Sequence, residues 1–380
     1  MVMVSWERAQ ARRLERSSLV GRTAGTPLAR LAGMVCGLHA QVQTSAEQQL
    51  AARIDGLQQR DVRTALWETR ELAKAWTVRG TLHLHPSDEL SLWLAARRAV
   101  ARRGGDGALR EWRDPAGTVH PPLEARAVEA VRAAVWDALD GRCLRRDQLA
   151  DAVVARVGAA PSERLRSGFA FFLADLCQGP PEGSRITLAR PDQWLRGWRG
   201  VDEEQALTEV CRRYVRAYGP AGAQEFREWF GGGSLSAAEC RAVFTRLSGE
   251  LEEVSVDGRP AFVLSGDADF PEPARTVRLL PEYDVLIMGC RERDRLIPEP
   301  VRALIAADGR GRYEGPAGVR LVLVDGVAAG LWRRATRGKV VEIDATLAAP
   351  ARRIGRRALA GEAERIGTLL GVDVALSIRR

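Results

Sequence analysis

Hydrophobic positions near the start of the chain recur at helical spacing and then change to strand-like alternation. Residues 76–84 alternate between apolar and polar side chains, as a half-buried strand does. Four earlier segments carry an apolar stripe at helical spacing, beginning at Ser5, Pro27, Ser45 and Val62, and the last of them extends to residue 75. Ser45 is followed three positions later by Gln48, a capping-box pattern. Residues 1–104 are therefore predicted to form a winged-helix-like unit.

A similar order of elements follows twice more, although no residue-by-residue repeat is present. After a linker rich in Gly, Pro and Asp, residues 122–200 show three helical segments (the last over residues 161–177), a Gly/Pro-rich turn and a strand. Residues 201–265 show a helix, a tight turn, two further helices and two strands joined by Asp257-Gly258. Asp-Gly is a strong hairpin signal, so a second and a third winged helix are predicted here.

Strands dominate beyond residue 265. Two strands joined by Asp325-Gly326 predict a hairpin, residues 337–343 predict a turn into a third strand, and a long helix and a short strand end the chain. The predicted fold class is α+β, with tandem winged-helix units and a mixed α/β C-terminal unit over residues 266–380.

Composition indicates a soluble protein of several structural units. A chain of 380 residues exceeds one ordinary core, and 46% hydrophobic with 28% charged residues is typical of globular proteins. Charges occupy the N-terminal positions where a signal peptide needs an apolar segment, so a cytoplasmic protein is expected. The six cysteines stand singly, without metal-ligand spacing, and neither a metal, a cofactor nor a disulfide is predicted.

The net charge of +8 is compatible with a polyanionic partner but does not decide for one. Of the 57 basic residues only Lys74 and Lys339 are lysine. Such heavy use of arginine, like that of alanine, is also what a high-GC genome produces, so the charge alone leaves nucleic-acid binding open.

Five motifs, in their order and at their distances, connect the chain with a known family. They are Gln41-Val42-Gln43, residues 79–84 (RGTLHL), residues 218–221 (YGPA), residues 279–284 (LLPEYD) and residues 324–333 (VDGVAAGLWR). The set resembles the winged-helix DNA glycosylases of the AlkZ/YcaQ type, over nearly the whole chain. The resemblance implies a C-shaped tandem winged-helix protein that grips double-stranded DNA and removes bulky or crosslinking alkyl adducts of guanine. The Gln-x-Gln pattern implies the AlkZ branch, which is associated with self-resistance to DNA-alkylating natural products, and implies Gln41 and Gln43 as the catalytic pair.

The chemistry of the glutamine side chain, considered without the family, restricts the reactions that Gln41 and Gln43 can support. An alternating triplet places both amides on one side of an extended segment, where they could also be two solvated side chains. A glutamine neither takes up nor gives a proton at neutral pH, so the pair cannot activate water as a general base. N7-alkylguanine is already cationic and leaves as a neutral base. Two carbonyl oxygens aimed at the sugar would then stabilise its developing positive charge.

Other residues are candidates for assisting or DNA-binding roles. Asp284 is the carboxylate that could assist, or a strand-end residue that caps a turn. His39 shares a side of the extended segment with the pair. Three sets of side chains are candidates for DNA contact: His39; Arg79 and His83 on the predicted strand; and Arg333, Arg334, Arg337 and Lys339 on a basic hairpin. The histidines and Arg79 could equally be structural, as packed histidines and a salt-bridged arginine. The basic hairpin favours DNA contact over a solvated turn.

Strand cleavage through a Schiff base would need an amine. Lys74 is expected on a helix and Lys339 after a hairpin turn, and neither adjoins Gln41 in the sequence. A monofunctional glycosylase is therefore predicted. Separately, the protein is expected to be a monomer.

Two other functional classes compete with the enzyme. Three winged helices could form a transcription regulator, although no heptad dimerisation helix is present and a regulator would prefer particular sequences. A drug-sequestering protein would need an aromatic-lined pocket, and only 6% of the residues are aromatic.

Overall fold

The structure, a computed structural model, describes residues 2–22, 25–101, 107–168, 170–231, 235–307, 318–338, 340–349 and 354–379. It contains both helices and strands throughout this length. Lys339 of the predicted basic hairpin lies outside the described residues. None of the helices in the described ranges is long and apolar enough to cross a membrane.

The first hundred residues place short strands between helices. The first helix begins at Ser5, whose hydroxyl accepts a hydrogen bond from the backbone of Arg8. The elements are β1 (Val2–Val4), α1 (Trp6–Arg16), α2 (Leu28–Met34), β2 (Leu38–His39), α3 (Gln43–Ala51), α4 (Gln59–Trp67), β3 (Leu72–Trp76), β4 (Leu82–Pro86) and α5 (Leu90–Ala101).

The structure corrects two predicted elements in this segment. The helix predicted to reach residue 75 ends at Trp67, and residues 72–76 form β3 instead. Because β3 lies between two other strands of a sheet, its pairing overrides the helix propensity of its alanines and leucine. The predicted single strand over residues 76–84 is also wrong. The chain reverses at Val78–Gly80, where Arg79 and Gly80 adopt left-handed φ angles of 55° and 67°.

The next segment continues the sheet that contains β3. Its elements are β5 (Trp112–Arg113), β6 (Val119–His120), α6 (Ala125–Ala138), β7 (Leu144–Arg145), α7 (Arg146–Val157), α8 (Ala159–Arg166), β8 (Cys177–Glu182), β9 (Arg185–Ala189) and α9 (Pro191–Trp194). The helix predicted over residues 161–177 is shorter and ends at Arg166, before a glycine with a φ angle of 88°. The six-stranded sheet has the order β2-β4-β3-β8-β9-β7.

The third segment has the predicted order of three helices followed by a hairpin. Its elements are α10 (Glu203–Tyr218), α11 (Ala223–Phe230), α12 (Ala237–Arg246), β10 (Leu251–Val256) and β11 (Arg259–Leu264). The hairpin turn at Asp257-Gly258 is confirmed, with φ angles of 47° and 82°. Aromatic side chains, including Tyr214, Phe226 and Trp229, fill the core between the helices.

The C-terminal segment is a sheet covered by helices. Its elements are β12 (Val277–Leu280), α13 (Val285–Gly289), α14 (Arg293–Leu296), α15 (Glu299–Ala307), β13 (Leu321–Val324), β14 (Val327–Arg337), β15 (Val340–Leu347), α16 (Arg356–Leu370) and β16 (Asp373–Arg379). The strands are ordered β12-β13-β14-β15-β16, and only the last pair is parallel. The predicted hairpin at Asp325-Gly326 is confirmed.

Strand pairing and core packing join these segments. β3 pairs with β8 of the second segment, and β1 pairs in parallel with β10 of the third. The core around α3 includes Val285 of α13 and Leu369 of α16. The C-terminal segment therefore packs directly on the helix that carries Gln43. The division into units at residues 104, 122, 200 and 265 stays a prediction.

Candidate active site

Gln41 lies in an exposed bend directly after β2. The preceding residue anchors the bend, because the backbone N–H of Ala40 donates to the carbonyl of Leu82 at 2.7 Å. The side chain of Gln41 turns back to the strand that carries Leu82, β4. Its Oε1 accepts from the backbone N–H of Leu82 at 3.3 Å. Two contacts to β4 thus hold an otherwise solvent-facing glutamine.

Gln43 is the first residue of α3, which corrects the predicted geometry of the pair. The N-cap is Val42, three residues earlier than the Ser45 that the capping-box pattern predicts. Gln43 therefore lies on the first turn of a helix, while Gln41 precedes that helix. Its Oε1 accepts from Lys74 Nζ at 2.9 Å, and its Nε2 lies 3.4 Å from Glu47 Oε1.

Lys74, expected on a helix away from the Gln pair, lies on a strand and contacts Gln43. It lies on β3, in register with Leu84 of β4, and its side chain is only 5% exposed. Burial lowers the pKa of Lys74 to about 8, although the negative charge of Glu47 acts in the opposite direction. One signal could have identified it: a lysine among the apolar residues of 72–76 in a chain that has only two lysines.

Glu47 is a site residue that the sequence analysis misses. Its carboxylate is fully buried one helical turn after Gln43 and accepts from Gln59 Nε2 at 2.6 Å. Burial raises the pKa of Glu47, while hydrogen bonds from Gln59 and Gln43 and the charges of Arg63 and Lys74 favour the ionised form. The i, i+4 spacing to Gln43 becomes visible only once the start of α3 is known.

His39 and His83 lie side by side beneath the bend. Their rings pack edge to face, and the His39 ring also packs on Tyr283 with centroids 4.8 Å apart. Both are buried, at 4% and 3% exposure. Burial, with a smaller effect from Arg79 and Lys74, lowers the pKa of His39 to about 4, and burial places the pKa of His83 well below its usual value. Both rings are therefore neutral at neutral pH.

Arg79 lies in the left-handed turn between β3 and β4. Its Nη1 donates to the carbonyl of Trp229 on α11 at 2.7 Å. Burial, with repulsion from Arg291, lowers the pKa of Arg79 to about 10, which leaves the side chain charged at neutral pH. Arg79 thus connects the hairpin beside the Gln pair to the third segment.

Asp284 is fully buried and bonded on both oxygens. It accepts two hydrogen bonds of 2.8 Å from Arg53, and it also accepts from the backbone N–H of Leu286 at 2.9 Å as the N-cap of α13. These contacts favour the structural capping role that the sequence also allowed.

The basic hairpin is formed by β14 and β15. Arg333 and Arg337 are exposed, and Arg337 pairs with Glu342 at 2.8 Å. Arg334 is half-buried, and its Nη1 has no hydrogen-bond partner among the described residues. The charges of Glu282 and Glu47 both act on the pKa of Arg334, which burial lowers. Arg334 therefore lies within electrostatic range of the Gln43 site.

The described residues offer no group of three or more His, Cys, Asp or Glu side chains arranged to hold a metal ion. The ionisable and amide groups around Gln43 include the two amides of Gln41 and Gln43, the buried ammonium of Lys74 and the buried carboxylate of Glu47. Neither amide can exchange a proton at neutral pH. A carbonyl oxygen has two lone pairs, and among the described residues each of the two accepts one hydrogen bond, from Leu82 or from Lys74.

Comparison with known proteins gives concordant results. The family profile described as "DNA glycosylase AlkZ-like" matches residues 32–369. The chain is similar to an "Interstrand DNA cross-link repair glycosylase" of Streptomyces sahachiroi, with 31% identity over 340 residues, 86% of this chain and 87% of the relative. Its structure is similar to that of the Streptomyces sahachiroi DNA glycosylase AlkZ, with a TM-score of 0.80 and 28% identity over 99% of this chain and 100% of the other.

The resemblance stated from the motifs is therefore confirmed, and it decides for the enzyme over the regulator and the sequestering protein. The chain belongs to the AlkZ-like DNA glycosylases, enzymes that hydrolyse N-glycosyl bonds.

Proposed function

We propose that this protein removes cationic N7-alkylguanine from double-stranded DNA, with Gln41 and Gln43 as the catalytic pair. The observation that carries the proposal is the placement of the two amides. Gln41 is exposed after β2, Gln43 follows on the first turn of α3, and a donor from β4 or β3 orients each carbonyl oxygen.

The chemistry of the lesion suits an amide pair. N7-alkylguanine already carries a positive charge, so it leaves as a neutral base without protonation. The transition state then places positive charge on the sugar. Carbonyl oxygens held in advance stabilise such a charge because no reorganisation is needed during the reaction, and they can also orient the attacking water.

The substrate range is proposed from the relatives. The Streptomyces sahachiroi relative is named for repair of interstrand DNA crosslinks. We extend this to the present chain as activity on bulky or crosslinking adducts, in self-resistance to a DNA-alkylating natural product. The tandem winged-helix units would form a C-shaped surface around the duplex, and the protein would act as a monomer in the cytoplasm.

DNA contact is assigned first to the basic hairpin. Arg333, Arg334, Arg337 and Lys339 would bind phosphates on one side of the lesion. The buried His39 and His83 would reach DNA only if binding exposes them, and the half-buried Arg79 is bonded to the carbonyl of Trp229. We therefore assign them a smaller share of the affinity, mainly through their support of the bend that carries Gln41.

The proposed enzyme is monofunctional, although the reason given by the sequence changes. Lys74 is not distant from the pair, as its position in the chain suggests, but bonded to Gln43. Its low exposure and its bond to Gln43 support this assignment, because an amine that attacks the sugar must be accessible and free of such a bond. A Schiff base with the sugar would require Lys74 to displace Gln43.

Excision from a defined duplex tests the proposed function. A duplex with one N7-methylguanine is incubated with and without the protein, and mild alkali then reveals abasic sites as strand breaks. The incubation without protein gives the background, because this lesion is itself labile to heat and strong alkali. Breaks at the lesion only after this treatment, and none in the matched undamaged duplex, are expected. Breaks without treatment, together with a borohydride-trapped complex that disappears in Lys74→Met, would overturn the monofunctional assignment. No abasic sites at all would overturn the proposed substrate.

A further inference from the structure

We propose that Lys74 and Glu47 are positioning residues that hold the Gln43 amide in a single orientation for catalysis. The inference rests on the proposed function, because it assumes that Gln43 acts on the sugar. Neither residue is placed in contact with DNA. Each would act on the reaction through Gln43.

The two ends of the Gln43 amide differ in chemistry, and each faces a group that suits it. The carbonyl end of Gln43 faces the Lys74 Nζ at 2.9 Å, and the nitrogen end faces a carboxylate oxygen of Glu47 at 3.4 Å. A protonated lysine only donates and an ionised carboxylate only accepts. A flipped amide would set its NH2 group against the ammonium and its oxygen against the carboxylate. The two charges therefore select one of the two amide orientations.

The Lys74 ammonium and the Glu47 carboxylate are themselves immobilised. Lys74 projects from a strand that is paired on both sides, and its side chain is nearly inaccessible to water. Glu47 is fully buried on α3 and is held by Gln59 at 2.6 Å, with Arg63 at 3.9 Å. Gln43 thus meets two fixed partners and not two mobile surface side chains, which is the arrangement that preorganised catalysis needs.

Glu47 also balances the positive charge that Lys74 brings near the developing sugar cation. A lone ammonium near this cation would oppose the reaction, since like charges repel strongly away from water. Glu47 supplies an opposite charge at the other end of the same amide. The pair lets Lys74 donate to the carbonyl without adding net positive charge next to the sugar.

A double-mutant cycle tests whether the residues act through Gln43. Single-turnover excision of N7-methylguanine from a duplex is measured for wild type, Lys74→Met, Glu47→Gln, Gln43→Ala and the Lys74→Met/Gln43→Ala double variant. Lys74→Met should lower the maximal rate by about tenfold to a hundredfold, the scale of misplacing a catalytic group. The enzyme concentration at half-saturation should stay within about twofold, because DNA binding is untouched. In the Gln43→Ala background the same substitution should change the rate by less than about twofold.

Two controls keep structural effects apart. Arg60→Met removes a positive charge from α4 at a side chain that is 79% exposed, and it should leave the maximal rate unchanged. Lys74→Gln keeps a donor without the charge and should recover part of the rate lost in Lys74→Met. It also replaces Lys74→Met in the cycle if that variant does not fold.

The outcomes separate this inference from the proposed function. A wild-type rate for Lys74→Met and for Glu47→Gln would overturn the positioning role. So would an equal fold-loss from Lys74→Met in the presence and absence of Gln43. A wild-type rate for Gln43→Ala would instead overturn the proposed catalytic pair itself.

Discussion

Two buried carboxylates, those of Glu47 and Asp284, lie close to α3 and have different partners. Glu47 lies on the helix and contacts Gln43, while Asp284 pairs with Arg53 just beyond the end of the helix. Both side chains are fully buried. Only Glu47 has a contact that could transmit its charge to the proposed chemistry.

Replacement of Asp284 should therefore affect stability and not catalysis. Asp284→Ala leaves the guanidinium of Arg53 buried without its partner, which costs about 3–5 kcal/mol of the free energy of unfolding. Denaturant unfolding measures this loss, and single-turnover excision per folded molecule should remain near wild type. Asp151→Ala, which removes a carboxylate from an exposed pair with Arg166, serves as the control and should cost less than about 1 kcal/mol. A variant that unfolds like wild type but excises much more slowly would make Asp284 a catalytic residue after all.

At the scale of elements, short-range chemistry explains what the sequence predicts correctly. The Asp-Gly turns at residues 257–258 and 325–326 need only their own left-handed backbone, so the pattern indicates them reliably. The helices and hairpin of residues 203–264 have apolar stripes and turn residues of their own. These elements need no information from distant parts of the chain.

β3 is an element whose type the sequence predicts wrongly, because it depends on distant partners. The run around Lys74 has good helix formers, and only its pairing with β4 and β8 makes it a strand. The contact between Lys74 and Gln43 spans 31 positions and follows from that pairing. Gln41 and Gln43 can be identified from their motif, whereas the groups that orient them require the folded sheet.

The basic hairpin of β14 and β15 should contribute to DNA affinity through phosphate contacts. Replacing Arg334, Arg337 and Lys339 with Ala should lower the slope of log affinity against log salt by up to about three, because each lost phosphate contact releases roughly one fewer counterion. Binding of an undamaged duplex, measured at several salt concentrations, gives the slope. The matched control removes three arginines from ion pairs elsewhere, at Arg212, Arg246 and Arg302. Equal slopes for the hairpin variant and wild type would place the hairpin away from DNA.

At the scale of the whole molecule, the sheets combine segments that look separate in the sequence. β1 completes the sheet of the third segment, and the six-stranded sheet crosses from the first segment into the second. Arg53 bonds to Asp284, which ties the end of α3 to the C-terminal segment. The Gln pair itself is held within the first segment, by β3, β4 and α3, and the C-terminal segment in turn holds α3.

Substrate selection by the whole enzyme should follow the charge of the lesion. Because the amide pair supplies no proton, N7-alkylguanine should be released, and uracil, 8-oxoguanine and hypoxanthine should remain in the DNA. Gln43→Asp places a carboxylate beside the developing cation and should keep activity on the cationic lesion. Excision assays on four duplexes that differ only in the lesion measure this selectivity. Efficient release of any neutral base by the wild type would reveal an acid at the site and contradict catalysis by two glutamines.

The most direct measurement is single-turnover excision of N7-methylguanine from a duplex by Gln41→Ala and Gln43→Ala, beside the affinity of each variant for the same duplex. Each substitution removes a carbonyl oxygen that stabilises the sugar cation, so the rate should fall by about two orders of magnitude or more, with nearly unchanged affinity. Wild-type rates for both variants would contradict the catalytic role of the pair and place the active site elsewhere.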